Sequence, residues 1–160
     1  MEKIKIYIAA GWFDEFQDKA LTKIEKLLTA NKRTLEVYSP RIEMKLDGKE
    51  DKEQQTKVFL ENCKHIEEAD LIIASTVGKD MGTLWECGYA YSKGVPIIYT
   101  FFDKRFPNAK FNLMLARSGI ACFTDYEKLA DFAFDLELDG LDALNTLVVY
   151  EGDFEWILII

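Results

Sequence analysis

The sequence predicts a doubly wound α/β domain: a mainly parallel five-stranded sheet with helices on both faces, a three-layer sandwich of the flavodoxin or Rossmann kind. Three observations carry that expectation. Short β-branched runs alternate with longer stretches of helical periodicity, the pattern of strands joined by crossover helices. "ADLIIAS" at 69–75 is apolar almost throughout, as a strand covered on both faces must be. The 160 residues, 49% hydrophobic and 13% aromatic, can bury one substantial core. No repeat, low-complexity tract or linker divides them, so 1–160 reads as a single domain.

Residues 4–9, "IKIYIA", alternate with Ile4, Ile6 and Ile8 on one side and form the first strand. A helix follows over about 14–30, its apolar stripe of Phe16, Ala20, Ile24 and Leu27 flanked by Leu21 and Leu28. "TLEVYSP" (34–40) is a second strand, stopped by Pro40, and the polar residues 41–53 form a loop. A second helix over about 52–68 turns Val58, Phe59, Asn62, Cys63 and Ile66 to one face, and 69–75 is the third strand. After a loop at 76–82, a third helix runs to about Lys93, where Gly94 and Pro96 end it. "VPIIYTFF" is a fourth strand, "FNLMLARS" a short helix and "GIACF" a fifth strand. "DYEKLADFAF" is a last helix with Asp125 as its N-cap.

A net charge of −8 with dispersed basic residues argues against nucleic acid, which needs a clustered positive surface. It suits a small uncharged or cationic ligand. The three cysteines (Cys63, Cys87, Cys122) lack paired spacing, and the first apolar run is interrupted by Lys3 and Lys5, unlike a signal peptide. A reduced, cytoplasmic protein is the expectation. No stretch approaches the ~18 apolar residues that cross a bilayer. With His65 as the sole histidine, a multi-histidine metal site is impossible. Cys63-Lys64-His65 would supply two ligands in mid-helix, so His65 reads as structural and no metal site is expected.

In parallel α/β sheets, ligands sit beyond the carboxyl ends of the strands, near the point where strand order reverses. "AAGWF", "SPRIEM" and "STVGKDMG" reach that edge. Gly78-Lys79 lacks the spacing of a phosphate-binding loop, and "AAGWF" lacks the three-glycine dinucleotide fingerprint. Trp12 and Phe13 fit either the core or a platform on which a flat base stacks. "GKDMGTLWECGYA" (78–90) sets Asp80 and Glu86 around a Gly-Thr turn. Thr83-Leu84-Trp85-Glu86 fits a capping box, which would make Thr83 and Glu86 helix-end residues. That reading leaves Asp80 unexplained, together with Gly82 and Gly88, which remove bulk on either side of Glu86. Two carboxylates so placed suit glycosidic chemistry, one attacking a sugar carbon while the other manages the leaving group's proton.

Three stretches, taken together and in order, resemble the nucleoside 2-deoxyribosyltransferase family. "IYIAAGWF" is similar to its opening strand and aromatic loop, "DMGTLWECGYA" to its Asp-x-Gly-Thr-x-x-Glu-x-Gly signature, and "FNLML" to its Asn-Leu-Met segment. The resemblance runs from about residue 4 to 115. It implies transfer of a 2-deoxyribosyl group from a 2′-deoxynucleoside to another purine or pyrimidine base, a nucleoside-salvage reaction. Glu86 would be the nucleophile, forming a covalent deoxyribosyl-enzyme with retention at C1′. Asp80 would contact the base and pass it a proton, and Tyr7 would orient Glu86. Gly11, Phe13, Asn62 and Gly82 would bind substrate. Asn112 and Met114 would complete a neighbouring subunit's site, which implies a homo-oligomer built from dimers, up to a hexamer. The partners implied are the 2′-deoxynucleoside and the free base, with no cofactor, nucleic acid or membrane.

The chain departs from the family pattern at three places. Asn62 stands where many members carry Asp, and an amide binds a base without trading protons with it. "RIEMK" replaces a base-reading Gln, leaving Arg41, Glu43 or Met44 to substitute. "YEGDFEWILII" continues past the point where some relatives end at a Tyr. Glu155 falls there, so either its side chain replaces a terminal carboxylate or the tail Trp156 to Ile160 packs elsewhere, as an edge strand, an oligomer contact or a cover over apolar surface. Two other readings stand beside transfer. A hydrolase would release free base from a nucleoside or nucleotide, with Lys79 and Ser75 near a 5′ phosphate. A non-enzymatic nucleotide sensor would use Glu86 only as a cap.

Overall fold

A computed structural model describes residues 3–30, 33–102, 111–152 and 154–155. Its centre is a five-stranded, wholly parallel sheet in the order β2-β1-β3-β4-β6, built from β1 (Ile4–Ala9), β2 (Leu35–Tyr38), β3 (Leu71–Ser75), β4 (Ile97–Thr100) and β6 (Ala121–Phe123). The predicted three-layer sandwich is what forms. Strand order reverses between β1 and β3, so the loops that leave those two strands flank one crevice.

The two faces of β1 explain the layering. Ile4, Ile6 and Ile8 point to one face, where Leu21, Ile24 and Leu28 of α1 (Glu15–Thr29) and Phe132 and Leu136 of α6 (Tyr126–Asp139) cover them. Tyr7 and Ala9 point to the other face, with Ile72, Ala74, Ile97 and Tyr99, under Ile66 of α3 (Lys52–Glu68) and Cys87 and Ala90 of α4 (Met81–Ser92). Side chains alternate strictly along a strand, so the isoleucines that anchor β1 to one layer aim Tyr7 into the other.

Side-chain caps set where the helices begin. Asp14 caps α1, Asp51 and Gln54 form a capping box on α3, Asp80 caps α4, and Asp125 caps α6 as predicted. Each places an acceptor on otherwise unpaired N–H groups.

The structure corrects several sequence-based boundaries. Pro40 does not merely stop β2; it opens a helical turn, α2 (Pro40–Glu43), because a fixed φ suits the first helical position. In α1 the buried stripe is Gln17, Ala20, Leu21, Ile24, Glu25 and Leu28, while Phe16 stays exposed. The predicted helix at 111–118 begins with two extended residues, β5 (Phe111–Asn112), before α5 (Leu113–Ser118) starts under the Asn112 side-chain cap. α6 is followed by a 3-10 segment, Gly140–Thr146, that the sequence pattern did not signal. β7 (Phe154–Glu155) pairs in parallel with β5, setting Glu155 opposite Asn112. Trp156 to Ile160 lie outside the described residues. Among the described residues no helix is long and apolar enough to cross a membrane.

Candidate active site

The crevice is built from two loops and two helices. On the sheet floor, Tyr7 is fully buried on β1, held on both sides by parallel partners: Tyr38 on β2 and Ile72 on β3. Its hydroxyl donates to Glu86 Oε1 at 2.7 Å. Glu86 sits in the second turn of α4, partly buried, and its pKa is pushed up to about 7. Loss of hydration is the largest cause, and the negative charge of Asp80 adds to it; the bond from Tyr7 works in the opposite direction. The Tyr7 hydroxyl is driven well above its ordinary range by burial and by Glu86, so it remains a donor at every physiological pH.

Asp80, not Thr83, is the N-cap. Its Oδ2 accepts from Thr83 N at 2.7 Å and from Thr83 Oγ1 at 2.9 Å, and α4 begins at Met81. The Thr83–Glu86 capping box is therefore absent. Starting the helix three residues earlier carries Glu86 beyond the first turn and rotates it to the sheet, where it meets Tyr7. Gly78 (φ 76°) and Lys79 (φ 51°), both left-handed, turn the chain from β3 into this cap. A side chain on Gly11 would stand 3.0 Å from Asp80 Cβ, and one on Gly82 would stand 3.2 Å from Asp80 Oδ2, so both glycines leave room for that carboxylate. Gly88 differs: a side chain there would meet nothing, so it does not relieve crowding at Glu86.

A cavity of about 350 Å3 opens beside Glu86, lined by Phe59, Asn62, Gly82 and Trp85. Phe59 and Trp85 lie with ring centroids 5.2 Å apart, and Trp85 stacks on Tyr89. Asn62 Oδ1 accepts a 3.5 Å bond from the Tyr38 hydroxyl. Tyr38 in turn lies between Tyr7 and His65, with centroids 5.6 and 3.7 Å away. His65 packs within this column and lies 3.3 Å from Glu61, a structural placement. Trp12 packs on the core while Phe13 is 74% exposed at the rim. Asn112 and Met114 do not border this cavity: Asn112 caps α5, and Met114 projects into solvent.

The second-loop candidates are also placed. Arg41 is committed to α1, bound to Asp18, Thr22 and the buried Glu25, which also accepts from Ser39. Glu43 and Met44 border a different, larger cavity of about 440 Å3 along the β2 edge, which does not reach Glu86. Of the phosphate candidates, Ser75 is buried at 4% exposure. The Cys87 thiol, next to Glu86 in the chain, is pushed up to about 12, chiefly by burial and then by Glu86, so it stays protonated. Among the described residues, no group of three or more His, Cys, Asp or Glu is arranged to hold a metal ion.

The family model for nucleoside 2-deoxyribosyltransferases covers residues 6–149. The chain belongs to the nucleoside 2-deoxyribosyltransferase family. Among solved structures it is similar to a 2-deoxyribosyltransferase from Bacillus psychrosaccharolyticus at 29% identity and TM-score 0.69, over 83% of this chain and 95% of that one. A conserved protein from Enterococcus faecalis V583 shares the fold at 21% identity and TM-score 0.65, over 83% and 98%. A CMP N-glycosidase from Clostridium botulinum, BcmB, shares it at 23% identity and TM-score 0.50, over 84% and 98%. No curated protein sequence matches the chain. As a nucleoside 2-deoxyribosyltransferase family member the protein is a pentosyltransferase enzyme whose substrates are nucleosides and nucleobases.

Three residues of this deoxyribosyltransferase-family crevice escaped the sequence reading. Trp85 was seen only as a filler of the capping box, yet it walls the cavity. Tyr38 was an anonymous strand residue, and only the β1–β2 register sets it beside Tyr7. Gln17 carried a legible signal: it is a polar residue on the buried stripe of α1, at 6% exposure.

Proposed function

We propose that this enzyme exchanges bases on 2′-deoxynucleosides through a covalent deoxyribosyl-Glu86 intermediate. The observation that carries the reading is the 2.7 Å bond from Tyr7 to Glu86 Oε1 beside an apolar cavity. Tyr7 engages Oε1, which leaves Oε2 to attack C1′. As the Oε2–C1′ bond forms, the N-glycosidic bond breaks and its electron pair goes to the base nitrogen. Asp80 Oδ2 is bound by Thr83, so Oδ1 is the oxygen that meets the base and manages its proton. An incoming base then attacks C1′ from the vacated face, loses its own proton, and returns Glu86 as a carboxylate. Two inversions give net retention.

The base rests against Phe59 and Trp85, whose rings supply a flat apolar surface, with Phe13 at the rim. Asn62 offers both an amide donor and an acceptor, which suits a pocket that takes bases of either polarity. Gly11 and Gly82 act by leaving space for Asp80. Asn112 and Met114, which are exposed and away from the cavity, would serve a neighbouring copy in a homo-oligomer, the enzyme acting in the cytoplasm as a single domain.

Hydrolysis is the second reading. Phe59 and Trp85 are 49% and 48% exposed, so water reaches the same ester. Of the two candidates for a 5′ phosphate, Ser75 is sealed into the end of β3, which leaves the exposed Lys79. A mass spectrum of protein incubated with a 2′-deoxynucleoside tests both at once. A deoxyribosyl group on the Glu86 peptide, discharged by added base, supports exchange; discharge at the same rate without base supports hydrolysis. No adduct in wild type together with full activity of Glu86→Ala would refute the nucleophile.

A further inference from the structure

We infer that Gln17 is a positioning residue that locks the loop after β1 to the turn after β3, so that the Phe13 ring and the Asp80 carboxylate are presented in one fixed relation. The inference rests on the proposed exchange reaction for its kinetic consequence, though not for its structural one.

Gln17 is the third residue of α1, and its backbone N–H is already satisfied by the Asp14 cap at 2.9 Å. Its side chain does something a cap does not require. Oε1 accepts from Phe13 N at 2.9 Å, gathering the aromatic loop back onto the helix. The rest of the amide is wedged between two glycines of separate loops. A Cβ on Gly78 would lie 2.4 Å from Gln17 Nε2 and 3.0 Å from its Cδ. A Cβ on Gly11 would lie 3.1 Å from Gln17 Cδ and 3.1 Å from Asp80 Cγ. The amide carbon of Gln17 and the carboxyl carbon of Asp80 thus both lie against the space that a Gly11 side chain would fill. The two loop segments share one joint: Gly11 to Phe13 on one side, Gly78 to Asp80 on the other, and the buried amide of α1 between them.

A helix-end role alone would be met by Gln17 bonded to Phe13 in open solvent. It would not need a bare backbone on both flanks, nor a left-handed glycine at 78 held against the amide. Placing a long polar side chain at 6% exposure on the stripe that carries Ala20, Leu21, Ile24 and Leu28, with Glu25 paired to Arg41, sacrifices apolar packing. The compensating gain is alignment of two loops that come from opposite sides of the strand-order reversal. Gln17 does not touch Glu86 or Tyr7, so it acts on where the base sits and not on the ionisation of the nucleophile.

Two variants test this. Gln17→Leu keeps a branched side chain of comparable bulk, one atom shorter, and removes the acceptor. Gly11→Ala keeps Gln17 and adds one methyl at the joint, displacing Asp80 and Gln17 by a few tenths of an ångström with no backbone strain. For both, three quantities are measured: amide hydrogen exchange of Phe13, steady-state base exchange against nucleoside and base concentration, and the pH dependence of kcat. The expected result is at least tenfold faster exchange of the Phe13 amide in Gln17→Leu. KM for nucleoside and base should rise about tenfold in both variants, with the limb near pH 7 unmoved. Unchanged Phe13 exchange in Gln17→Leu would overturn the inference whether or not the wild type is active. So would a fall in kcat with KM unaltered, or an equal loss explained by a lowered melting temperature. If Gln17→Leu does not fold, Gly11→Ala decides alone: KM values equal to wild type would overturn the joint. Wild type measured alongside separates this failure from that of the reaction, since a wild type that neither exchanges nor hydrolyses condemns the proposed function while Phe13 exchange still judges Gln17.

Discussion

Replacing Glu86 by Gln should make the protein more stable at alkaline pH while removing its activity. In the folded state the Glu86 carboxyl titrates at about 7 instead of its ordinary 4.5. A raised carboxyl binds its proton more tightly folded than unfolded, so its contribution to stability is full below 4.5 and is lost as pH rises through 7. At roughly 1.4 kcal/mol per pH decade, ionising Glu86 inside the crevice costs the folded state about 3 kcal/mol at most above pH 8. Gln cannot ionise, and its carbonyl oxygen still accepts from Tyr7, so the variant escapes that cost while keeping the bond. A gain of about 1–3 kcal/mol at pH 8 corresponds to about 2–10 °C in Tm for a chain of this size, with little difference at pH 4. Thermal unfolding at both pH values, with base exchange assayed on the same samples, measures it. A variant less stable than wild type at pH 8, or one that keeps full exchange activity, would refute the reasoning.

Tyr7→Phe removes the bond that holds the Glu86 pKa down, so the rising limb of kcat/KM should move above pH 7 and the rate at pH 7 should fall tenfold or more, read from a pH–rate profile. Asp80→Asn has the opposite sign at Glu86. It removes the negative charge that raises the pKa, so the limb moves below 7; Asn still caps α4, so unfolding in urea should change by only a few tenths of a kcal/mol. The rate still falls, because an amide cannot manage the base's proton. Arg41→Met leaves the buried Glu25 without its cation and should cost about 3–5 kcal/mol in urea unfolding. Its preference among bases should not change, since Arg41 faces α1; an altered base preference would show that Arg41 reaches the substrate.

Most of the architecture was legible because period-two and period-3.6 patterns report burial directly. The alternation of Ile4, Ile6 and Ile8 already implied that Tyr7 faces the opposite layer, and the apolar run ending in Ser75 marked an inner strand. The errors share one cause: local signals are degenerate. Thr83 with Glu86 and Asp80 with Thr83 are both acceptable helix starts, and the choice is made by tertiary packing, since only the earlier start brings Glu86 against Tyr7. Pro40 reads equally as a stop or as a first helical residue. Phe16 and Gln17 differ by 100° on the helix, and hydrophobicity favoured Phe16, whereas the glycine-lined gap between two loops selected the amide. Tyr38 and Trp85 were not legible, because their importance depends on strand register and helix rotation, which are properties of the assembled sheet.

Because Tyr7 lies on a strand hydrogen-bonded along both edges, its half of the proposed reactive pair inherits its stiffness from the whole sheet, whereas the surfaces proposed to meet the base belong to α3, α4 and the rim loops. Glu86 shares α4 with Trp85 and Gly82 of the cavity wall, so Phe59 and Asn62 on α3 are the lining residues that stand on an element apart from the pair. Residues 59 and 62 are therefore the positions at which that wall can be redesigned without altering the helix that carries Glu86.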